Sequence, residues 1–429
     1  MSNRRIFRKQ RQESGQTIAL VALAIVTLLA MAALAIDVVS LYVAKGEVQR
    51  AADAAALVAA KAFVDSGVTS DPNDAGKQTL AQNIANAGIA GILAQNKVAG
   101  AAPVLVGTPT FDFTTYPGNP QVSVTLQRTS LPIFFARIWK SAAPTVTASA
   151  KAEAYNSANS QTNTGNYIPV TLKNIKPLLI ANKDSLGNPF IVDTVNGAVA
   201  TGMTNKEITL NRGCQSGPGG PSVVCVPPGA TLNGQVWPNV PFWPASVDTN
   251  SLPSLCPSCQ GSSDFEHAIE CGRSQPKPTA SSSACGGAIE NVYVDTVMTR
   301  GQFKTEGGDG LKCLINDPSN DSIDLANDNY PSGPIPIIAR SGPLNGKTVS
   351  SSQSIANFPI IDNSKAMTPA GTVQIIGYLQ GFIESVSPGG SPLSFKVRIL
   401  NITGCGNNPG GTSVQAGGTS AIPVRLISQ

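Results

Sequence analysis

The chain has 429 residues, 41% of them hydrophobic, with 30 basic and 26 acidic side chains for a net charge of +4. The excess sits in one place: Arg4, Arg5, Arg8, Lys9 and Arg11 lie before residue 16 with Glu13 as the sole acid there, and the remainder carries 25 residues of each sign. A nucleic-acid-binding protein would show a basic face on its folded part, so no nucleic-acid partner is expected. Charged residues reach only 13%, while 41 Gly and 32 Pro are present. That composition excludes an ordinary cytosolic helical protein and suits an exported, loop-rich β protein.

The basic tail, residues 1–16, runs directly into twenty residues without charge, Pro or Gly, Thr17 to Ile36. As a helix they would extend about 30 Å, the thickness of a bilayer core. A cleaved signal peptide would have a shorter apolar region and a small-x-small site; Ala33 and Ala35 could supply the site, but the run is too long. The basic residues hold the tail in the cytoplasm and send everything beyond Asp37 across the membrane, so the chain is read as single-pass.

Beyond Asp37 the helical pattern continues to Asp65 without Pro. Val38, Leu41, Val48, Ala52, Ala55, Ala59 and Phe63 form one apolar stripe, and Gly67 provides a stop. The alanine-rich stripe fits close packing, either on the protein's own domain or on another subunit.

Glu13-Ser-Gly-Gln16, the apolar run, Leu34-Ala-Ile-Asp37, Tyr42 and Val48-Gln-Arg-Ala-Ala-Asp-Ala-Ala-Ala-Leu57 together resemble the N-terminal region of TadG-like proteins of the tight-adherence (Flp) pilus-assembly family. Val122-Ser-Val124, Pro132-Ile-Phe-Phe-Ala136 and Thr145 to Glu153 resemble the segments that close this region in the family. The resemblance implies a membrane-anchored, non-catalytic component of a pilus or secretion apparatus, with other apparatus proteins as partners and self-association through the N-terminal helix open. It puts forward Asp37, Tyr42, Ala52, Asp53 and Ala55 as assembly-helix residues. One departure stands out: prepilin-type cleavage at Gly15 would call for a glutamate five residues on, where Leu20 stands, so the anchor is expected to be retained.

A second, weaker helix is expected over 74–96. Alternation then marks strands at Val104–Val106, Thr110–Phe113, Gln121–Leu126 and Thr145–Ala150, giving a pilin-like helix-plus-antiparallel-sheet region over 37–155. Residues 156–166 lack large apolar side chains and read as a linker. From 167 to 429 short strands alternate with turns, the clearest being Ile168–Leu172, Glu207–Leu210, Asn291–Val297, Ile335–Ile338, Thr372–Leu379 and Phe395–Leu400. A β-rich, sandwich-like domain is expected there.

All eight cysteines fall in that domain: Cys214, Cys225, Cys256, Cys259, Cys271, Cys285, Cys313 and Cys405. An even count on the exported side favours disulfides, with connectivity open. Cys256-Pro-Ser-Cys259 with His267 and Cys271 could instead hold a tetrahedral zinc ion. The co-occurring cysteines argue for oxidation over metal binding, so no metal, cofactor or catalytic residue is expected. Ser341 to Thr348 lacks the first glycine of a phosphate loop and reads as a turn. Asp317, Asp321, Asp324 and Asp328 lack the spacing of a calcium loop and read as solvated.

The sequence thus describes an α+β protein: a single-pass helix over 17–36 in a bacterial inner membrane, extending into a pilin-like region, then a β-rich disulfide-containing domain in the periplasm or outside. It acts by protein–protein packing. Rival readings are an anchored surface-binding protein and an exported zinc-dependent hydrolase.

Overall fold

Fifty-two residues without proline fold as one helix, α1 (Ser14–Asp65), in the computed structural model of the protein. The described residues are 14–115, 119–133, 135, 142–156, 170–172, 175–182, 191–193, 199–211, 240–245, 247, 263–272, 277–278, 292–293, 300–315, 321–323, 337–349, 351–362, 372–387, 393–405, 414–416 and 422–427. Apart from Asn156, the expected linker over 156–166 lies outside them, as do most of 213–262 and 294–299. After α1 come α2 (Ala75–Gln95) and four strands, β1 (Val104–Leu105), β2 (Thr110–Asp112), β3 (Gln121–Arg128) and β4 (Val146–Ala154). These match the expected second helix and alternating runs. Next follow β5 (Val170–Leu172), β6 (Leu178–Ala181), β7 (Glu207–Asn211), β8 (Val240–Pro244), α3 (Asp264–Cys271), β9 (Lys277–Pro278) and β10 (Val292–Tyr293). The chain continues through α4 (Arg300–Ile315), β11 (Ser322–Ile323), β12 (Ile337–Ile338), β13 (Thr348–Val349), β14 (Ile355–Ile361) and β15 (Thr372–Val373). It closes with β16 (Ile375–Val386), β17 (Ser394–Thr403), β18 (Val414–Ala416) and β19 (Val424–Ile427).

Two compact units divide these elements. The first holds Met1–Ala54, Gly91–Thr108 and Val124–Ala150; the second holds Ala55–Ala90, Pro109–Ser123 and Lys151–Gln429. In the first, β1 pairs antiparallel with β3, Val104 opposite Gln127. The Thr125 and Ser149 hydroxyls meet at 2.9 Å. The helix fastens to this sheet by side-chain donors: Gln49 Nε2 reaches the Ser149 carbonyl at 3.1 Å, and Lys45 Nζ reaches that of Thr147. Glu47 accepts from the Ala99 N–H at 2.9 Å.

In the second unit, β2 pairs antiparallel with β3, Phe111 opposite Val122. Phe63 at the end of α1 packs edge-on against Phe113 at 5.5 Å and Phe111 at 6.3 Å. The last strand, β19, pairs antiparallel with β4, Leu426 opposite Ala152. Arg425 secures it, donating to Glu153 at 2.7 Å and lying over the Tyr155 ring at 5.1 Å.

In place of the expected sandwich, the C-terminal region contains a closed barrel of six strands in the order β14-β16-β17-β7-β8-β6. Two of its joints are parallel, β6 with β14 and β7 with β8; the others are antiparallel. Interior side chains fill a small barrel, here Phe242, Phe358, Phe395, Ile180 and Ile399, all essentially inaccessible. Helices α3 and α4 add Phe265, Ile269, Leu311 and Leu314 to the same core. Strands β16 and β17 are long, and their pairing slips at Gln380/Gly381 and again between Ile383 and Ser385. Gly381 sits at the first slip, where a Cβ would lie 2.1 Å from Val397 Cγ1.

A polar network fixes the end of α1 to the barrel. Ser70 Oγ donates to the Ile402 carbonyl at 3.1 Å and accepts the Ile402 N–H at 3.0 Å. Asn401 Nδ2 donates to the Val64 carbonyl at 3.1 Å and to Gln380 Oε1 at 3.0 Å. Asn156 Nδ2 donates to the Thr69 and Ile402 carbonyls, each at 2.9 Å. All five of these polar residues are buried. Nearby, the Lys77 ammonium bonds Asp71 at 2.9 Å and Thr204 at 2.5 Å, and Asp71 also accepts the Gly202 N–H at 3.1 Å.

Gly381→Ala should destabilise the barrel by about 1–3 kcal/mol through overpacking. In thermal melts of the detergent-solubilised chain, adding Val397→Ala should recover part of that loss, since the two sites touch. Strictly additive losses would contradict the contact.

Candidate functional site

The N-terminal helix changes its surroundings once along its length. From Ile18 to Ile36 its large apolar side chains are exposed, as in Leu23 at 66% and Met31 at 68%. Such a face is stable in lipid, where a helix satisfies its own backbone. Among the described residues, one helix is long and apolar enough to cross a membrane, and α1 is that helix. Burial begins at Asp37, with 3% exposure, and from Val48 on one broad face of the helix is buried while Arg50 and Lys61 stay exposed.

Asp37 is held by the chain itself. Its Oδ2 accepts the backbone N–H of Phe135 at 3.1 Å, and its own carbonyl accepts from Ser40 Oγ at 2.7 Å. A buried carboxylate needs donors, and this one takes a donor from the segment between β3 and β4. Phe134 and Ala136 on either side lie outside the described residues.

The other helix candidates separate into two groups. Ala52 and Ala55 are fully buried, together with Val48, Ala59 and Phe63 of the same stripe. Ala51, Ala56 and Ala60 are equally buried, so the covered face is wider than the expected stripe. Asp53 is half-buried and accepts from Gln49 Nε2, one turn earlier, at 2.9 Å. Tyr42, by contrast, is 76% exposed, and Val38, Val39 and Val43 beside it are exposed as well. Up to Asp65 the alanine face is thus covered by the protein's own chain, while the 38–43 segment keeps apolar surface free.

Comparison with known families decides the character of this helix. Residues 15–62 match the family model described as putative Flp pilus-assembly TadE/G-like. Residues 15–62 are a Tad-type region. The match ends just short of the end of α1, leaving the sheet and the barrel outside it. No curated protein and no solved structure matches the chain. In the Tad-type region, Asp37 is the first buried residue of the helix and accepts the Phe135 N–H. Val122–Val124 and Thr145–Glu153, the distal segments expected to close the region, lie beyond the matched residues, on β3 and on and just before β4, which are neighbours in one sheet.

The cysteine-bearing site lies on α3. Ser263 caps this helix, its Oγ accepting the Glu266 N–H at 3.2 Å. One turn apart, His267 and Cys271 come together, the sulfur lying 3.6 Å from Nε2 and 3.8 Å from Nδ1. Glu270 joins them, its Oε2 3.9 Å from His267 Nδ1. One ligand atom from each of the three lies within 4.8 Å of the others. Cys256 and Cys259, the other half of the zinc candidate, lie outside the described residues, as do Cys214, Cys225 and Cys285. Cys313 is on α4, which packs on α3, and Cys405 is buried just past β17. None of the three described cysteines is a free thiol.

Of the other motifs weighed in the sequence, Ser341–Thr348 forms a turn, with a 3₁₀ segment at Gly342–Leu344. Asp321 accepts the Arg340 N–H at 3.1 Å, and Asp317, Asp324 and Asp328 lie outside the described residues. The network around Ser70, Asn156 and Asn401 had no sequence signal, because single polar residues in Asn- and Ser-rich stretches look like linker.

Asp37→Ala should speed amide hydrogen exchange at Phe135, since the N–H loses its acceptor, at a cost of about 1–3 kcal/mol. Asp37→Asn keeps an acceptor oxygen and should leave most of the protection. Unchanged exchange in Asp37→Ala would show that the carboxylate does not hold this segment.

Proposed function

We propose that the protein is a membrane-anchored pilus-assembly component of the Flp/Tad type that works by protein–protein packing and carries out no reaction in that role. The observation that carries this reading is the Tad-type helix itself, with its membrane-length apolar face followed at once by a segment locked into the fold. In this reading the basic tail stays in the cytoplasm, residues 17–36 cross the inner membrane, and the sheet and barrel stand on the exported side. The absence of free thiols among the described cysteines supports an oxidising compartment and a disulfide-stabilised distal domain. The exposed apolar side at Val38, Val39, Tyr42 and Val43 is the part of the helix left for neighbouring apparatus subunits or a second copy. The buried alanine face is used internally and positions the barrel as the presented surface.

The test must respect that internal use. Removing the whole helix would strip Val48 to Phe63 from the core, so the informative variant replaces residues 1–36 with a cleavable export signal. The released chain should fold, with its melting profile preserved, and pilus assembly should be lost. Assembly that continues with the released protein would overturn the anchoring role.

A further inference from the structure

The connection between β3 and β4 is held at two places. At its base the Leu131 N–H donates to the Pro144 carbonyl at 3.1 Å, and farther along the Phe135 N–H donates to Asp37 Oδ2, also at 3.1 Å. Leu131 is buried and Ile133 half-buried, but Pro132 is exposed and Phe135 keeps 36% of its surface uncovered. The bond to Asp37 sets the level of Phe135 along α1. Asp37 is one residue, about 1.5 Å of rise, past Ile36, where the uncharged run ends. With residues 17–36 filling a hydrocarbon core of about 30 Å, Phe135 stands at the border of the headgroup layer, which is about 5–7 Å deep on each side. The helix is apolar outward at the same level, Ile36 being 51% and Val38 41% exposed, and it carries no charge between Asp37 and Lys45.

We infer that Pro132, Ile133 and Phe135 form a second membrane contact, lying in the headgroup layer of the leaflet from which α1 emerges. The inference rests on the anchoring reading above and extends it to a surface off the helix. Lipid is the occupant because the contact is continuous with the lipid-facing run and tied to its end by a hydrogen bond. The headgroup border accepts aromatic and aliphatic side chains, whose apolar parts reach about 5–10 Å into it. The arrangement also accounts for the burial of Asp37. A carboxylate at the edge of hydrocarbon is costly when it faces lipid, and here the β3–β4 connection supplies it with a donor. The tilt of a membrane helix is set by packing and by interfacial anchors. An anchor on the connection, joined to α1 through Asp37, therefore restrains how the helix leans.

The test uses the unaltered full chain in vesicles of phosphatidylethanolamine and phosphatidylglycerol, doped with a lipid that carries a diazirine near the headgroup end of one acyl chain. After illumination, tandem mass spectrometry maps the lipid adducts. Adducts are expected at Ile133 or Phe135 and along residues 17–36, but not at exposed Arg50, about 20 Å farther along the helix than Asp37. Adducts along 17–36 with none at 132–135, or labelling at Arg50 equal to that at Phe135, would overturn the inference and leave the anchor standing. No adducts along 17–36 would instead remove the anchoring reading, and this inference with it.

Discussion

Asn156 uses both hydrogens of its side-chain amide to join Thr69, just past α1, to Ile402 on β17. Its own N–H is taken by Asn119 Oδ1 at 2.9 Å. Ser70, bonded both ways to the Ile402 backbone, and Asn401, donating to the Val64 carbonyl, complete the same joint. Each such bond contributes about 1 kcal/mol net, but orphaning a buried partner costs about 1–3 kcal/mol, so the joint forms as a set or not at all. Because its members come from the α1–α2 turn, from Asn119, from the end of β4 and from the barrel, it fixes where the long helix ends on the folded domain.

The helix carries two kinds of surface on one backbone. Its lipid-compatible part is Leu-, Ile- and Val-rich and outward-facing; its protein-packed part is mostly alanine. The reason is geometric: alanine lets the helix axis approach a sheet and a second helix closely on a broad face, while bulky side chains fill the disordered hydrocarbon of a bilayer. Asp37 marks the change, its buried Oδ2 accepting a backbone N–H. The Tad-type match over 15–62 spans both parts of the helix, the exposed apolar run and most of the buried alanine face.

Much of α1 was legible because a long proline-free run with a 3.6-residue pattern has few alternatives. The strands of the N-terminal sheet were legible for the matching reason, their alternation. The barrel was harder to read. β6 (Leu-Leu-Ile-Ala) is buried on both faces and shows no alternation, and β8 carries Pro241 and Pro244. α4 contains Gly307, Gly308 and Gly310, which argue against a helix from sequence; Gly310 is needed because a Cβ there would lie 3.0 Å from Ile269 on α3. Closure also depends on parallel pairs between distant strands, such as Ile180 with Ile360, which no local pattern encodes. Of the candidate site, the sequence grouped His267 and Cys271 only as zinc candidates, and the helix that sets them one turn apart was not expected there.

The account rests on the end of the Tad-type helix being fixed to β17, and native-state hydrogen exchange tests this directly. Amides from Ser66 to Asp71 should be protected to the same degree as those of Asn401 and Ile402, and both groups should lose protection together in Asn156→Leu. Free exchange at 66–71 while β17 stays protected would show that the helix merely abuts the barrel, and would contradict the account.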